Sequence, residues 1–221
     1  MLTGMEITPL KADALGRIEL CRDGDRCWIR RDTREVHVLL RPFARGAAAR
    51  EARVLTALAG IDGVPQLIAW DDGRLDRSYL TGEPMQRGQP RDPAFYRAAH
   101  RLLKRIRARG VAHNDLAKEP NWLVLGDGRP GVLDFQIAWL SRRRGALFRL
   151  LAREDLRHLL KHKRSYCPDA LTPTERRVLR RRSWITRIWH ATGKRAYKLI
   201  ARKLFGYWDN EGQGRIRDNG G

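Results

Sequence analysis

The stretch GVAHNDLAKEPNWLVL, residues 110–125, concentrates polar and charged side chains between two structured segments. It follows a helical pattern that Gly110 ends, and it precedes an apolar run at Trp122–Leu125. Charged groups inside a protein core cost several kcal/mol unless they are paired. The stretch is therefore either a solvated loop or a functional site.

The apolar run is the first strand of a predicted β-hairpin, whose second strand, Gly131–Leu133, follows a turn rich in Gly and Pro. The hairpin brings Asn121 back beside Asp134, and Asp115 lies in the loop that enters it. Oxygen ligands of this kind suit Mg²⁺, which binds few protein oxygens together with substrate phosphates. Asp115 is then placed to accept a proton from a hydroxyl, and Lys118 to neutralise a transferred phosphoryl group.

The segments HNDLAKEPN and LDFQ resemble the H-R-D…N and D-F-G elements of the protein-kinase superfamily. The resemblance is closest to small bacterial RIO-like kinases and to the lipopolysaccharide (Kdo-type) kinases, and it covers roughly Ala14–Leu160. It implies that Asp115 is the catalytic aspartate and that Asn121 and Asp134 hold Mg²⁺. It also implies that His113 packs beneath the loop as structural support.

The same resemblance implies an α+β fold of two lobes. A small β-rich N-lobe is expected at residues 1–82, a reduced helical C-lobe at residues 83–208, and a flexible tail at residues 209–221. The implied activity is transfer of the γ-phosphate of ATP to a hydroxyl, with ATP and Mg²⁺ as cofactors. The RIO-like kinases imply a serine or threonine protein acceptor or an ATPase switch, whereas the Kdo-type kinases imply a sugar or lipid hydroxyl at the inner membrane.

Two departures from the kinase pattern affect the expected site. Five residues separate Asp115 from Asn121 where kinases have four, and Pro120 lies among them. This longer loop is expected to displace Asn121 slightly. Gln136 replaces the glycine of D-F-G, which favours a fixed metal loop over one that switches conformation.

A kinase-like N-lobe needs a carboxylate on its first helix to hold a cation over the phosphates. Glu51 has apolar neighbours at helical spacing on both sides, so we expect it on the buried face of its helix. The resemblance places the cation at the end of the third strand, where Arg30 replaces the usual lysine. Arg31 is the alternative if the register differs by one residue. Arginine is bulkier than lysine and always charged, so the replacement puts full catalytic power in question.

Further ATP-binding positions follow from the resemblance. Gly16 is the single glycine between the first two strands, so the backbone cradle for phosphates is minimal. Tyr79, Leu80 and Thr81 lie where the resemblance places the adenine hinge, whose backbone groups would bind the base. Asp155 lies among leucines at helical spacing and matches the helix aspartate that anchors the catalytic loop from below.

Each of these residues also has a simpler interpretation. Asp115 and Asn121 are compatible with ordinary capping of a hairpin loop, although an LDF segment at the right distance argues against it. Glu51 has surface arginines nearby in sequence as alternative partners, and Lys118 suits a solvated loop. The altered strand cation and the poor glycine loop favour a catalytically weak pseudokinase that serves as a basic binding module.

Composition points to an anionic partner. The 221 residues carry a net charge of +20, and 42% hydrophobic content is sufficient for a core. An acidic membrane surface or a phosphorylated substrate fits this charge. Nucleic acid also fits it but is not favoured, because no base-reading motif is present. Three cysteines without a C-x-x-C pair and the lack of a leader pattern favour a cytoplasmic location, with the periphery of the inner membrane as the alternative.

Periodicity and turn signals predict the order of elements. Short strands are expected in the first 32 residues and on both sides of Gly73, and a linker is expected at residues 81–90. Helices are predicted at about Val36–Ala59, from Asp92–Pro93 to Gly110, and at about Gly145–Lys161, Thr174–Arg181 and Trp184–Trp208. The last of these is amphipathic and basic, which suits either packing on the C-lobe or an anionic membrane.

Overall fold

The computed structural model describes residues 5–71 and 73–180. An antiparallel five-stranded sheet comes first, in the order β1-β2-β3-β5-β4, and helix α1 lies between β3 and β4 in the chain. These elements are Glu6–Asp13 (β1), Gly16–Asp23 (β2), Arg26–Asp32 (β3), Arg41–Ala57 (α1), Leu67–Asp71 (β4) and Arg74–Ser78 (β5). The early strands and the strand pair around Gly73 are confirmed.

Helix α1 begins five residues later than the pattern predicts. It starts at Arg41 instead of Val36, and Pro42 occupies its first turn. Proline is tolerated there because the first N–H groups of a helix have no intrahelical partner, whereas in a helix interior it would break a hydrogen bond. The apolar residues before Arg41 therefore belong to a turn.

The described residues after β5, up to residue 180, are mainly helical, with two small sheets. One sheet has the order β6-β8-β9, and β7 pairs with β10 in the other. The elements are Gly82–Pro84 (β6), Met85–Gly88 (α2), Pro93–Ala108 (α3), Val111–Ala112 (β7), Trp122–Leu125 (β8), Pro130–Val132 (β9), Trp139–Leu140 (β10), Ala146–Tyr166 (α4) and Pro173–Arg180 (α5).

The segment predicted as a linker between lobes, residues 81–90, is not irregular, because it contains β6 and α2. Its role as a linker stays a prediction. Gly82 pairs with Leu125 in strand β8, where a Cβ on Gly82 would lie 2.7 Å from the carbonyl oxygen of Val124. The Gly and Pro content that suggested a linker instead permits this close approach of two backbones.

Helix α3 is confirmed with its predicted cap. The carboxylate of Asp92 accepts a hydrogen bond of 2.7 Å from the backbone N–H of Ala94, and Pro93 follows in the first turn. The predicted apolar stripe is the buried face of the helix: Phe95, Ala99, Leu102, Leu103 and Ile106.

One hydrophobic core connects helix α1 with the helices that follow the five-stranded sheet. It includes Leu55 and Leu58 from α1 and its end, Leu116 and Phe135 from the loops around the hairpin, and Leu159 from α4. The predicted boundary at residue 82 stays a prediction. The predicted helix at Trp184–Trp208 and the tail at 209–221 lie outside the described residues. In the described part of the chain, no helix is long and apolar enough to cross a membrane.

Candidate active site

The hairpin forms as predicted and sets the geometry of the site. Trp122 in β8 pairs with Val132 in β9, and the N–H of Leu133 donates to the carbonyl of Asn121 over 2.9 Å. Asp134 is the next residue. The hairpin thus places Asn121 and Asp134 at one edge.

The carboxylate of Asp115 is the point where the loop side chains meet. Asn121 Nδ2 donates to Asp115 Oδ2 and to its backbone carbonyl, each at 3.0 Å. Lys118 Nζ lies 3.1 Å from the same Oδ2. The structure therefore brings together the three residues that the sequence assigned to this loop.

The extra loop residue does not separate Asn121 from Asp115. A 3₁₀ turn at Glu119–Asn121, with Pro120 in its first positions, takes up the additional length. Glu119 accepts a 2.8 Å hydrogen bond from the hydroxyl of Tyr166 on α4, which holds the turn in place. The expected displacement of Asn121 relative to the usual kinase loop stays a prediction.

Asp134 has the features of an incomplete ligand site. Its φ of 64° is in the left-handed region, which side chains other than glycine rarely adopt. Its Oδ1 atom is buried and has no hydrogen-bond donor among the described residues. A buried carboxylate oxygen without a donor costs free energy unless a cation or donor satisfies it.

The side chains of Asn121 and Asp134 fit a hard cation of the Mg²⁺ type. Asn121 uses its amide nitrogen on Asp115, which leaves its amide oxygen as the ligand atom, and Asp134 supplies the carboxylate. Two protein oxygens suffice for a cation that keeps waters and substrate phosphates in its shell. The described residues contain no cluster of three His, Cys, Asp or Glu side chains that would make a complete protein cage.

His113 is fully buried and supports the loop from beneath. Its Nε2 atom lies 2.8 Å from the carbonyl oxygen of Leu133, and its Nδ1 atom accepts a 3.3 Å hydrogen bond from the N–H of Asp115. This pattern assigns the donating ring nitrogen to Nε2 and the accepting one to Nδ1. The ring also packs on Phe135 at 4.6 Å between centroids. His113 thus connects the catalytic loop to the segment that carries Asp134.

Asp155 on α4 anchors the same loop. Its carboxylate accepts hydrogen bonds from the backbone N–H groups of His113 (2.7 Å) and Asn114 (2.9 Å). Burial raises the pKa of this carboxyl, and the two N–H donors act in the opposite direction. Asn114 is itself held at φ 69°, so the anchor stabilises a strained backbone.

The sequence did not single out His162, which also holds the loop. Its Nε2 atom lies 2.8 Å from the carbonyl oxygen of Leu116, and burial lowers the pKa of its ring. His162 and Tyr166 follow Asp155 at spacings of seven and eleven residues, which place all three on one helical face. That spacing was the signal available in the sequence.

The predicted pairing of Arg30 with Glu51 is wrong, and the alternative register is correct. Arg31 Nε lies 3.6 Å from Glu51 Oε2, and Arg77 Nε of strand β5 lies 3.5 Å from Oε1. Glu51 is fully buried on α1, and both arginines are buried. Side chains alternate across a strand, so only one of two consecutive arginines can face α1.

Arg77 is a second cation at this site that the sequence did not indicate. Glu51 carries one negative charge between two buried arginines, so the three side chains sum to one positive charge. A buried excess charge is costly without an anion. The net positive charge of Arg31, Glu51 and Arg77 therefore suits an anionic group such as a phosphate.

Arg30 lies on the opposite face of β3 and has a different partner. It forms two hydrogen bonds with the carboxylate of Asp76, at 2.8 and 2.7 Å. The two residues are directly opposite in the pairing of β3 with β5. Arg30 thus stabilises the sheet and is removed from the predicted ATP site.

The other predicted nucleotide residues lie at the expected turns. Gly16 opens β2 at φ +125°, and a Cβ there would meet the carbonyl oxygen of Asp32 at 2.4 Å. This position therefore requires glycine for close backbone approach. Tyr79 and Thr81 are exposed between β5 and β6, where the hinge was predicted. Their contacts with adenine stay a prediction.

Comparison with known proteins shows similarity at the level of structure. No family model and no curated protein sequence matches the chain. The Rio2 kinase of Chaetomium thermophilum, in an ADP/Mg²⁺-phosphoaspartate complex, matches with a TM-score of 0.56, at 16% identity over 78% of this chain and 59% of that one. A second structure of the same kinase gives a TM-score of 0.57 at 16% identity, over 78% and 61% of the two chains. The chain thus spans about three fifths of each neighbour, and the match confirms the kinase-like α+β fold.

Proposed function

We propose that this chain, which has a protein-kinase-like fold, is a phosphotransferase that uses ATP and Mg²⁺ to phosphorylate a hydroxyl. The observation that carries the proposal is the convergence of Asn121 and Lys118 on the Asp115 carboxylate. Asp134, with its unpartnered buried oxygen, lies at the same edge of the hairpin. The ADP and Mg²⁺ named for one Rio2 kinase structure support the choice of cofactors.

Asp115 is the residue assigned to the acceptor hydroxyl. Both polar contacts of its carboxylate converge on Oδ2, so Oδ1 is the oxygen that they leave for an incoming hydroxyl. The carboxylate orients the hydroxyl and accepts its proton as the new bond forms. Lys118, whose side chain is more than half exposed, balances the charge on the transferred group.

The nucleotide phosphates are assigned to the part of the site that contains Asn121, Asp134 and Arg31. Asn121 and Asp134 would hold Mg²⁺, which supplies charge neutralisation on the phosphates when it is bound. Arg31 is the strand cation assigned to a phosphate. It pairs with Glu51, and Arg77, on the other oxygen of that carboxylate, would keep Glu51 neutralised when Arg31 contacts phosphate. Catalysis of this kind consists mostly of positioning and electrostatic stabilisation.

For the acceptor we propose a serine or threonine hydroxyl of a protein, as in RIO-like kinases. Support for this acceptor comes from the resemblance of the HNDLAKEPN and LDFQ segments to RIO-like kinases. The alternative acceptor is a sugar or lipopolysaccharide hydroxyl at the inner membrane, which the net charge of +20 supports.

A binding module without catalysis is the competing function. Arginine in place of the strand lysine, Gln136 in place of glycine and the single Gly16 support it. The presence of Asp115, Asn121 and Asp134 together opposes the binding-module function, because a module that only binds has no need for all three. ATP binding without transfer would decide for the module.

The test measures MgATP binding and ³²P transfer with the wild type, Asp115→Asn and Asp134→Asn. We expect Asp115→Asn to bind MgATP normally and to lose transfer by roughly 10²–10⁴-fold, the usual contribution of a positioned base. We expect Asp134→Asn to lose Mg²⁺-dependent nucleotide binding as well, because its carboxylate is the proposed metal ligand.

Asp169→Asn is the matched control, because it removes an exposed carboxylate from a 3₁₀ turn away from the hairpin. It should behave as the wild type does. A wild-type chain that binds no MgATP would refute the proposed function. A chain that binds MgATP but transfers no phosphate to protein or sugar hydroxyls would establish the binding module instead.

A further inference from the structure

The segment that follows the D-F-Q element has an unusual composition. Residues 137–153 contain no aspartate or glutamate. None of their arginines forms a salt bridge with a carboxylate in the described part of the chain. These arginines are Arg142, Arg143, Arg144, Arg149 and Arg153.

The same segment exposes large apolar side chains. The exposed fractions are 46% for Ile137, 46% for Trp139, 42% for Leu140 and 51% for Leu147. Strand β10 pairs on one side with β7, whose two residues are buried, and its own two side chains remain accessible. Exposed tryptophan and leucine interleaved with arginine are typical of surfaces that insert into a membrane interface.

An open groove extends this surface toward α1. It has a volume of about 410 Å³, and Leu140 forms part of its apolar wall. Arg53 from α1, Arg109 after α3 and Arg142 line it, and no acidic residue is among its lining. A groove of three guanidinium groups with an apolar wall fits phosphate groups attached to apolar chains.

Some of these arginines also form hydrogen bonds with backbone carbonyls of the protein. Arg109 donates to the carbonyl of Ala57 at the end of α1, and Arg144 donates to the carbonyl of Ala108 at the end of α3. Such contacts satisfy the last carbonyls of helices. Arg53 and Arg149 likewise donate to the carbonyls of Ala49 and Arg144. These contacts leave the exposed Trp139 and Leu140 unexplained.

The surface is tied directly to the catalytic loop. The side-chain amide of Asn114 donates to the carbonyl oxygen of Ile137 over 3.1 Å. Asn114 precedes Asp115, and its backbone N–H is held by Asp155. A binding partner that contacts residues 137–147 would therefore lie beside the loop that carries Asp115.

We propose that residues 137–153, together with Arg53 and Arg109, form a docking face for an anionic phospholipid membrane. The arginines bind lipid phosphates, and Trp139 and Leu140 insert into the interfacial region of the bilayer. This inference stands on the chemistry of the surface and does not require the proposed phosphotransfer. Its failure and the failure of the proposed function are therefore separate outcomes.

The experiment is co-sedimentation of the full chain with vesicles of phosphatidylcholine, with or without phosphatidylglycerol, at low and high salt. We expect binding only to the anionic vesicles and a residual fraction at high salt from apolar insertion. Replacing Arg142, Arg143 and Arg144 by glutamine together should weaken binding about 100-fold, since each cation contributes roughly fivefold near such a surface. Trp139→Ser with Leu140→Ser should abolish the salt-resistant fraction.

Two controls match these variants in composition. Glutamine at Arg22, Arg26 and Arg87 removes the same charge from exposed sites elsewhere, and Ile68→Ser with Trp70→Ser removes exposed apolar groups from β4. Both should bind nearly as the wild type does, and thermal unfolding checks that all variants are folded.

Three results would overturn the proposal. The first is no sedimentation of the wild type at low salt. The second is equal loss in the test and control arginine variants, which would mean that binding follows total charge. The third combines two observations: the Arg142, Arg143 and Arg144 variant loses binding to mixed-sequence RNA as well as to vesicles, and the Trp139 and Leu140 variant keeps full vesicle binding. This result would indicate a nucleic-acid face.

Discussion

At the scale of single residues, adjacent arginines on β3 have different environments. Arg31 faces α1 and lies near the buried Glu51, whereas Arg30 points to the other side of the sheet and binds Asp76. The two side chains are chemically identical and one position apart. Their assignment depends on which face of the strand packs on the helix.

This difference can be tested with the matched pair Arg31→Met and Arg30→Met. Arg31→Met should reduce phosphate transfer by roughly 10²–10³-fold, the usual effect of removing one donor that stabilises developing charge. Arg30→Met should leave the rate of transfer nearly unchanged and lower the free energy of unfolding by about 2 kcal/mol, since Asp76 loses its charged partner. Steady-state kinetics and urea unfolding provide the two measurements. Equal kinetic losses in both variants would contradict the assignment.

At the scale of elements, one face of α4 holds the loop of residues 113–121 at three points. Asp155 binds the backbone at His113 and Asn114, His162 binds the carbonyl of Leu116, and Tyr166 binds Glu119. These contacts stabilise a loop that contains a positive-φ residue and one residue more than the usual kinase loop. The helix therefore positions Asp115 without contacting it.

The pH dependence of stability follows from His162. Burial lowers the pKa of its ring below the value of 6.5 for the unfolded chain, so the unfolded state binds the proton first as the pH falls. The free energy of unfolding should therefore decrease as the pH falls below about 6.5, and His162→Gln should flatten part of this dependence. Urea unfolding between about pH 8 and pH 5 measures the slope.

His100 supplies the control for this prediction. Burial and the nearby Lys104 also lower the pKa of His100, but this residue is not among the contacts of the catalytic loop. His100→Gln should remove its own share of the slope and leave transfer activity intact, whereas His162→Gln should also reduce activity. Identical slopes in the wild type and His162→Gln would refute the role of His162.

At the scale of the whole molecule, the two parts of the fold share one core and meet at a close backbone contact. The loop after α1 approaches the hairpin, where the N–H of Val132 donates to the carbonyl of Gly63 over 2.8 Å. A Cβ on Gly63 would lie 2.7 Å from the carbonyl oxygen of Pro130. The contact holds the end of α1 against the hairpin that carries Asn121.

Gly63→Ala should therefore be more destabilising than Gly60→Ala. Both glycines have positive φ, +83° and +75°, but a Cβ on Gly60 would meet nothing within 4 Å. We expect Gly60→Ala to cost about 1 kcal/mol from backbone strain and Gly63→Ala to cost about 1–3 kcal/mol more from the clash. Thermal and urea unfolding measure the difference, and equal losses would show that the contact is not constrained.

Much of the site could be predicted from contiguous sequence. The hairpin brings Asn121 to Asp134 by short-range pairing, and the spacing of Asp155 among leucines reports a buried helical face. These are local relations, because residues within one hairpin or one helix have positions that periodicity and turn chemistry define. The kinase-like fold was predictable for the same reason, since its recognition elements lie within one such hairpin and the loop before it.

Only the tertiary structure decided the relations between separate elements. The partner of Glu51 depends on how the sheet packs on α1, and Arg77 reaches it from a strand distant in sequence. The support by His162 and the exposure of Trp139 likewise depend on which surfaces other elements cover. A one-residue register shift exchanges the two faces of a strand without changing its local pattern, so packing alone selects which arginine is buried beside Glu51.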